Sequence, residues 1–260
     1  MRDRVAHVDG WPINISTLQH AVAQISDAAQ AEESFCCFTL NLDHLVKLRS
    51  DAEFRRAYTG VRFITADGEP VAHIARRQWH TVRRTTGADM LEPICAQAAV
   101  RGIPVFLFGS SIEVLQVVAA RLERQSAGKL RIVGCEAPPN GFDPASDAAR
   151  ECLERIEKSG ARLCFVMLGA PKQELLSARA MELNIKCGFI CCGAAGDFLA
   201  GRQKRAPEIM QRTGAEWLWR LAHNPLRLGM RYFRCLLLYL RLEAVLATRR
   251  ATAGLRPTKS

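Results

Sequence analysis

At 260 residues, 48% of them hydrophobic, the chain can bury a full core in one large domain plus an appendage and need not be two domains. The 13 Lys and Arg against three acids (Glu208, Glu216, Glu243) from Gly201 onward carry the whole net charge of +10, whereas the 23 cations and 23 acids of the first 200 residues cancel. The longest uninterrupted apolar run near the C-terminus, 235–240, is far short of the ~20 residues of a membrane span.

In chain order, the opening MRDRVAHVD is charged and has no apolar stretch of a signal peptide, so a cytosolic protein is expected. Residues 5–8, a turn at Asp9 and Gly10, and residues 11–13 read as a small hairpin, after which Asn14 to Thr17 offer a cap for a helix through Ile25. A β-then-α rhythm follows. Apolar runs at 34–40, 61–65, 105–109, 130–134, 162–169 and 186–192 are each succeeded by a loop and an amphipathic stretch, the pattern of a parallel sheet covered by helices. The expected architecture is α/β: a Rossmann-like, mostly parallel sheet flanked by helices over residues 1–200. A basic helical appendage fills 201–260, its last ten residues reading as disordered.

The ten cysteines lie largely within apolar runs (Cys36, Cys37, Cys164, Cys187, Cys191, Cys192) and form no CxxC pair, so buried thiols of a reducing compartment are expected. A metal site on Cys187 and Cys191 is the remote alternative.

In the appendage, Asn224 and Pro225 fit a helix start, which predicts two helices broken near His223. In the second, Leu228, Tyr232, Cys235, Tyr239, Leu242 and Leu246 make one apolar stripe and Leu226, Met230, Phe233, Leu237 and Leu240 another. Arg227, Arg231, Arg234 and Arg241, spaced 4, 3 and 7 apart, form a ridge between them. One stripe is expected to pack on the body and the other to meet an anionic membrane surface, where each cation contributes about 1 kcal/mol. An oligomer-forming helix is the plainer alternative. A basic tail also fits nucleic acid, but no zinc-finger, RRM or helix-turn-helix signature accompanies it, and its apolar content favours lipid. A non-catalytic membrane scaffold is the third class.

Ligands of parallel α/β sheets bind outside the carboxyl ends of the strands. The polar and glycine-rich segments fall there: Thr39 and Asn41; Asp67 and Gly68; Gly109, Ser110 and Ser111; GAPKQE from Gly169; and GAAGD from Gly193 to Asp197. Asp67 at a strand end can serve as a general base, although an Asp-Gly pair is also an ordinary turn. The FGSS segment before a helix suits phosphate, or is simply a cap. Lys172 can pair with phosphate and Gln173 orient a hydroxyl, while Arg202, Lys204 and Arg205 can neutralise a diphosphate or form a solvated basic turn. No DxD triad and no His and carboxylate cluster at metal spacing is present, so charge neutralisation falls to Arg, Lys and backbone dipoles, and no metal is expected.

TLN (Thr39 to Asn41), ADG (Ala66 to Gly68), TGAD (Thr86 to Asp89), GAPKQE, DFLAGRQKRAP (Asp197 to Pro207) and EWLWRL (Glu216 to Leu221) together resemble the WecG/TagA/CpsF glycosyltransferases, glycosyltransferase family 26, in the same order from about Val5 to Tyr239. The resemblance implies a GT-E type fold and an inverting, metal-independent transfer from a UDP-sugar to a polyprenyl diphosphate-linked sugar. The work is done at the cytoplasmic face of the inner membrane, in surface polysaccharide assembly. It places the catalytic carboxylate on Asp67, with functional partners Thr39 and Gln173. Thr86 and Asp89 of TGAD are expected in the substrate site, and the family's appendage, which docks on the membrane and helps complete the site, corresponds to this tail; its basic residues Arg220, Arg227, Arg231 and Arg234 are expected at the membrane or folded over the donor diphosphate. Leu40 stands where the family has Pro, and Cys192 where it has Gly. The sugar, the linkage and a homo-oligomer are left open.

Overall fold

In the computed structural model the described residues are 4–212, 214–223 and 225–254, the side chains of 211, 212, 220, 223, 227 and 249–254 aside. The chain opens with the hairpin β1 (Ala6–Val8) and β2 (Trp11–Ile13). Thr17 caps α1 (Leu18–Gln30) by accepting the amide of His20. This helix runs past the expected Ile25 because Ala28 and Ala29 extend its buried face.

Six strands, β3 (Phe35–Leu40), β4 (Phe63–Ala66), β5 (Val105–Gly109), β6 (Ile132–Glu136), β7 (Leu163–Met167) and β8 (Gly188–Cys191), pair in parallel in the order β4-β3-β8-β7-β5-β6. Each overlaps one of the apolar runs. All of β3 is buried because the sheet is covered on both faces: Cys36, Phe38 and Leu40 enter one core, Phe35 and Cys37 the other. The first core is closed by α2 (Leu42–Ser50), α3 (Ala52–Tyr58), α4 (Glu69–Arg76), α7 (Asp147–Lys158) and α8 (Lys172–Glu182). The second is closed by α1, α5 (Gly87–Arg101), α6 (Ile112–Gln125) and α9 (Ala195–Leu199). After β4 the chain crosses to the far edge for β5 and β6, then fills the centre with β7 and β8. Strand order thus reverses beside β3 and β8, where such sheets open a crevice.

Three helices follow: α10 (Glu208–Arg212), α11 (Glu216–His223) and α12 (Pro225–Gly254). The break falls where expected, Asn224 itself lying outside the described residues. Helix α12 continues four residues into the ten expected to be disordered, and the remaining six lie outside the described residues. Its two stripes part as their spacing requires. Cys235, Leu238 and Leu242 are buried, Leu238 and Leu242 joining the core that holds α2 and α4, while Leu226, Met230, Phe233, Leu237 and Leu240 are each at least 52% exposed. Among the described residues no helix is long and apolar enough to cross a membrane. All ten cysteines are free thiols, and all but Cys135 are buried.

Candidate active site

The carboxyl ends of β3, β4, β5, β7 and β8 lie along one rim, and the segments leaving them are bonded to each other. The Asp67 amide donates to Leu40 O at 2.8 Å, joining the loops after β3 and β4. Gly193 N donates to Gln173 Oε1 at 2.9 Å, joining those after β7 and β8. Ser110 N donates to Met167 O at 2.9 Å and Ser110 Oγ to Asp197 Oδ1 at 2.8 Å, joining β5 to both. Gly109 permits this approach: at φ 111° it takes a backbone that L side chains avoid, and a Cβ there would meet Met167 O at 2.6 Å. Gly87 plays the same part by sterics alone, a Cβ falling 2.5 Å from Cα of Cys192.

Thr39 is buried on β3, in register with Thr65 of β4, and Asn41 caps α2 by accepting the amide of His44 at 2.9 Å. Asp67 is half-buried at the end of β4, and Gly68 starts α4 at φ 91°. Gln173 is buried in the first turn of α8, its Nε2 donating to Glu174 Oε1 at 2.7 Å. Glu174 is fully buried, and burial pushes its carboxyl up to about 7. His44 stands beside it, with Nε2 3.8 Å away and Nδ1 meeting the Tyr58 hydroxyl at 2.7 Å. Burial also drives His44 down to about 3, so the ring is neutral and brings Glu174 no countercharge. The Tyr58 phenol is held well above its ordinary range by burial, then by the charges of Glu174, Cys191 and Asp67, which ties this cluster electrostatically to Asp67.

Facing these polar groups are helix starts. Gly68, Ser111, Pro171 and Ala194, at the starts of α4, α6, α8 and α9, make no side-chain capping bond, whereas Thr17, Asn41, Asp51, Thr86 and Ser146 cap their helices. The Ser111 hydroxyl instead accepts from Arg202 at 3.0 Å, and it also bonds the carboxylate of Glu113. Lys172 and Lys204 are exposed; Lys172 N closes the turn onto exposed Gly169, and the Lys204 carbonyl accepts from Trp219 Nε1 at 3.4 Å. Asp197 also accepts from Gln203 Nε2 at 3.1 Å.

Other expected site residues are engaged structurally. Thr86 and Asp89 form a reciprocal capping box on α5, and Asp89 also binds Arg205 at 2.5 Å and faces Arg84 at 3.5 Å. Burial raises the Asp89 carboxyl, but the bond and charge of Arg205 outweigh it and hold the group below its usual range. Arg84 reaches on to Glu216 of α11 at 3.9 Å. In α12, Arg231 pairs with Asp43 of α2 at 3.0 Å, and Arg234 is exposed; the side chains of Arg220 and Arg227 lie outside the described residues. Among the described residues no group of three or more His, Cys, Asp and Glu is arranged to hold a metal ion.

Sequence reasoning missed His44, Tyr58, Glu174 and Arg84. The available signal was a charged or polar residue at a position whose helical neighbours are apolar, as at His44 beside Leu45 and Leu48.

The rim thus gathers one carboxylate at a strand end, several helix starts and nearby cations, a set of groups that can bind an anion. The family model described as Glycosyl transferase WecG/TagA/CpsF family matches residues 6–253, nearly the whole chain, extending past Tyr239, where the resemblance read from the sequence ends. The match takes in the rim and the helices that follow it, and on that basis the chain belongs to the WecG/TagA/CpsF family and is a glycosyltransferase.

Proposed function

We propose that the enzyme is an inverting transferase. It moves a hexose, an N-acetylhexosamine or its uronic acid from a UDP-sugar to a polyprenyl diphosphate-linked sugar, without a metal ion, while resting on the cytoplasmic face of the inner membrane. The observation that carries this reading is the state of the helix starts at the rim: α2 after β3 is capped by Asn41, but α4, α6, α8 and α9, which follow β4, β5, β7 and β8, lack side-chain caps. Their first amides and dipoles thus favour an anion such as a leaving UDP. Arg202 and Lys172 stand beside those starts.

In the reaction, the acceptor hydroxyl loses its proton to the Asp67 carboxylate as its oxygen bonds the anomeric carbon. The bond to UDP breaks on the opposite side, the electron pair leaving on the diphosphate. Gln173 and Thr39 border the same mouth. The half-exposed stripe of α12 with its arginines supports seating on an anionic bilayer. The deciding experiment incubates the protein with a panel of UDP-sugars and polyprenyl diphosphate-linked acceptors, with and without EDTA. Transfer with inverted anomeric configuration in EDTA is expected; activity lost in EDTA and restored by Mg²⁺, or no transfer from any UDP-sugar, overturns the reading.

A further inference from the structure

Gln173 bridges two rim loops only if its amide faces the right way. Its Oε1 accepts from Gly193 N and its Nε2 donates to Glu174 Oε1. Rotating the amide by half a turn would set Nε2 against the Gly193 N–H, donor against donor, and Oε1 against a carboxyl oxygen, acceptor against acceptor. The Gly193 N–H selects the carbonyl end of the amide, and Glu174, when ionised, reinforces the same orientation because a carboxylate only accepts. Glu174 occupies a fully buried position that an apolar residue of α8 would otherwise fill, beside Leu176 and Ala180, and its Oε2 has no hydrogen-bond partner. A buried carboxyl with one oxygen on Gln173 and the other unpartnered is costly to keep for packing alone.

We propose that Glu174 is a positioning residue for the transfer reaction, holding the Gln173 amide in register with Gly193 and tightening that hold when it ionises. This rests on the transferase reading given above. The titratable and charged groups around Glu174 are His44, Asp43 and Lys47 from α2, Tyr58 from α3, and Cys191 from β8, with Cys36 of β3 next along α8 through the Ser177 carbonyl. None is a cation in contact with it. Its ionisation is governed by burial and falls near 7. A carboxylate accepts roughly twice as strongly as a neutral acid, so the Gln173 contact strengthens as pH rises through that value.

The test compares Glu174→Gln and Glu174→Leu with wild type. The Glu174→Gln enzyme keeps a carbonyl acceptor but cannot ionise there, so its turnover should sit near the low-pH plateau of wild type and lose the rise near pH 7. The Glu174→Leu enzyme offers no acceptor, and its kcat should drop about 10- to 100-fold with KM for the donor little changed, the signature of a displaced group rather than a lost substrate contact. Independently of turnover, the ¹⁵N-labelled Gln173 side-chain amide should shift with a midpoint near pH 7 in wild type and stay constant in Glu174→Gln. A Glu174→Leu enzyme at wild-type rate, a Glu174→Gln enzyme that keeps the rise near pH 7, or a wild-type Gln173 amide that does not respond to pH overturns the proposal. Wild-type protein that transfers no sugar while its amide titrates strikes the transferase reading and with it the catalytic role, leaving the Gln173–Glu174 contact in place.

Discussion

Arg231 Nε lies 3.0 Å from Asp43 Oδ1, so the basic ridge of α12 is clasped to the first turn of α2, two residues beyond the cap Asn41. Farther along, Glu243 binds Arg77 at 2.5 Å and faces His73 of α4, the helix that starts after Asp67. The appendage thus grips both helices whose starts bear the polar residues of the β3 and β4 strand ends. Arg231 is 44% exposed, so its coupling to Asp43 should be modest, about 0.5–1 kcal/mol, in a double-mutant cycle of Arg231→Ala and Asp43→Asn followed by urea unfolding. Turnover should fall only a few-fold. If Arg231 instead gripped a leaving diphosphate, the other role expected of the basic ridge, its loss would cost on the order of 10²-fold or more in kcat.

Asp67→Asn keeps the shape of the strand end and removes the proton acceptor. Its kcat should fall by about 10²- to 10⁴-fold, while UDP affinity measured by calorimetry stays within about twofold, because the residue is assigned to the attacking hydroxyl and not to the leaving group. Undiminished turnover would take Asp67 out of the mechanism.

Gly87→Ala tests the seam between the TGAD segment and the turn after β8. The new methyl would stand 2.5 Å from Cα of Cys192, backbone against backbone, with no flexible side chain to yield. A loss of about 1–3 kcal/mol in stability is expected by thermal or urea unfolding. Gly201, with open space around its Cβ but φ 74°, separates the two causes: Ala there strains the backbone without a clash.

The inner strands were legible because a doubly covered parallel sheet writes them as nearly continuous apolar runs, as FCCFTL at β3 and LCFVM at β7 show, whereas the half-buried edge strand β6 ends in Glu136. The stripes of α12 were legible for the related reason that a helix with two different neighbours must segregate its faces. What could not be read was pairing. The three-residue spacing of Thr86 and Asp89 allows a capping box, but nothing in it tells that Asp89 also holds Arg205, and nothing in GAPKQE tells that its last residue turns inward to the amide before it. Such contacts join residues through the fold, and burial that moves Glu174 and His44 from their ordinary pKa values exists only once α2, α3 and α8 are packed.

Removing the entire tail would expose the core contacts of Leu238 and Leu242, so point changes separate membrane seating from folding. Replacing Met230, Phe233, Leu237 and Leu240 together by Ser alters only the exposed stripe. Co-sedimentation with vesicles of anionic phospholipid should be lost, at roughly 0.8 kcal/mol per methylene no longer buried in lipid, with little change in Tm. Leu238→Ala should behave in the opposite way, costing about 2–5 kcal/mol of stability at a buried site. Retained vesicle binding by the serine variant would remove this face from membrane contact.

His44 and Glu174 give opposite pH dependences, and their windows overlap. Glu174 is raised by burial from an ordinary 4.5 to about 7, so between those values the unfolded chain has released a proton that the folded one keeps, and stability falls as pH rises. The full effect is on the order of 3 kcal/mol. His44 is depressed by burial from 6.5 to about 3, so the unfolded chain holds the extra proton there, and stability falls as pH drops. From about 4.5 to 6.5 the two slopes offset. Above 6.5 only the Glu174 loss continues, and below 4.5 only the His44 loss. In urea titrations at fixed pH, Glu174→Gln should therefore become relatively more stable than wild type as pH climbs from 4.5 to 7, and His44→Gln as pH descends from 6.5 to 3. Parallel curves for wild type and Glu174→Gln across that interval would mean that the carboxyl ionises as freely in the folded protein as in the unfolded chain.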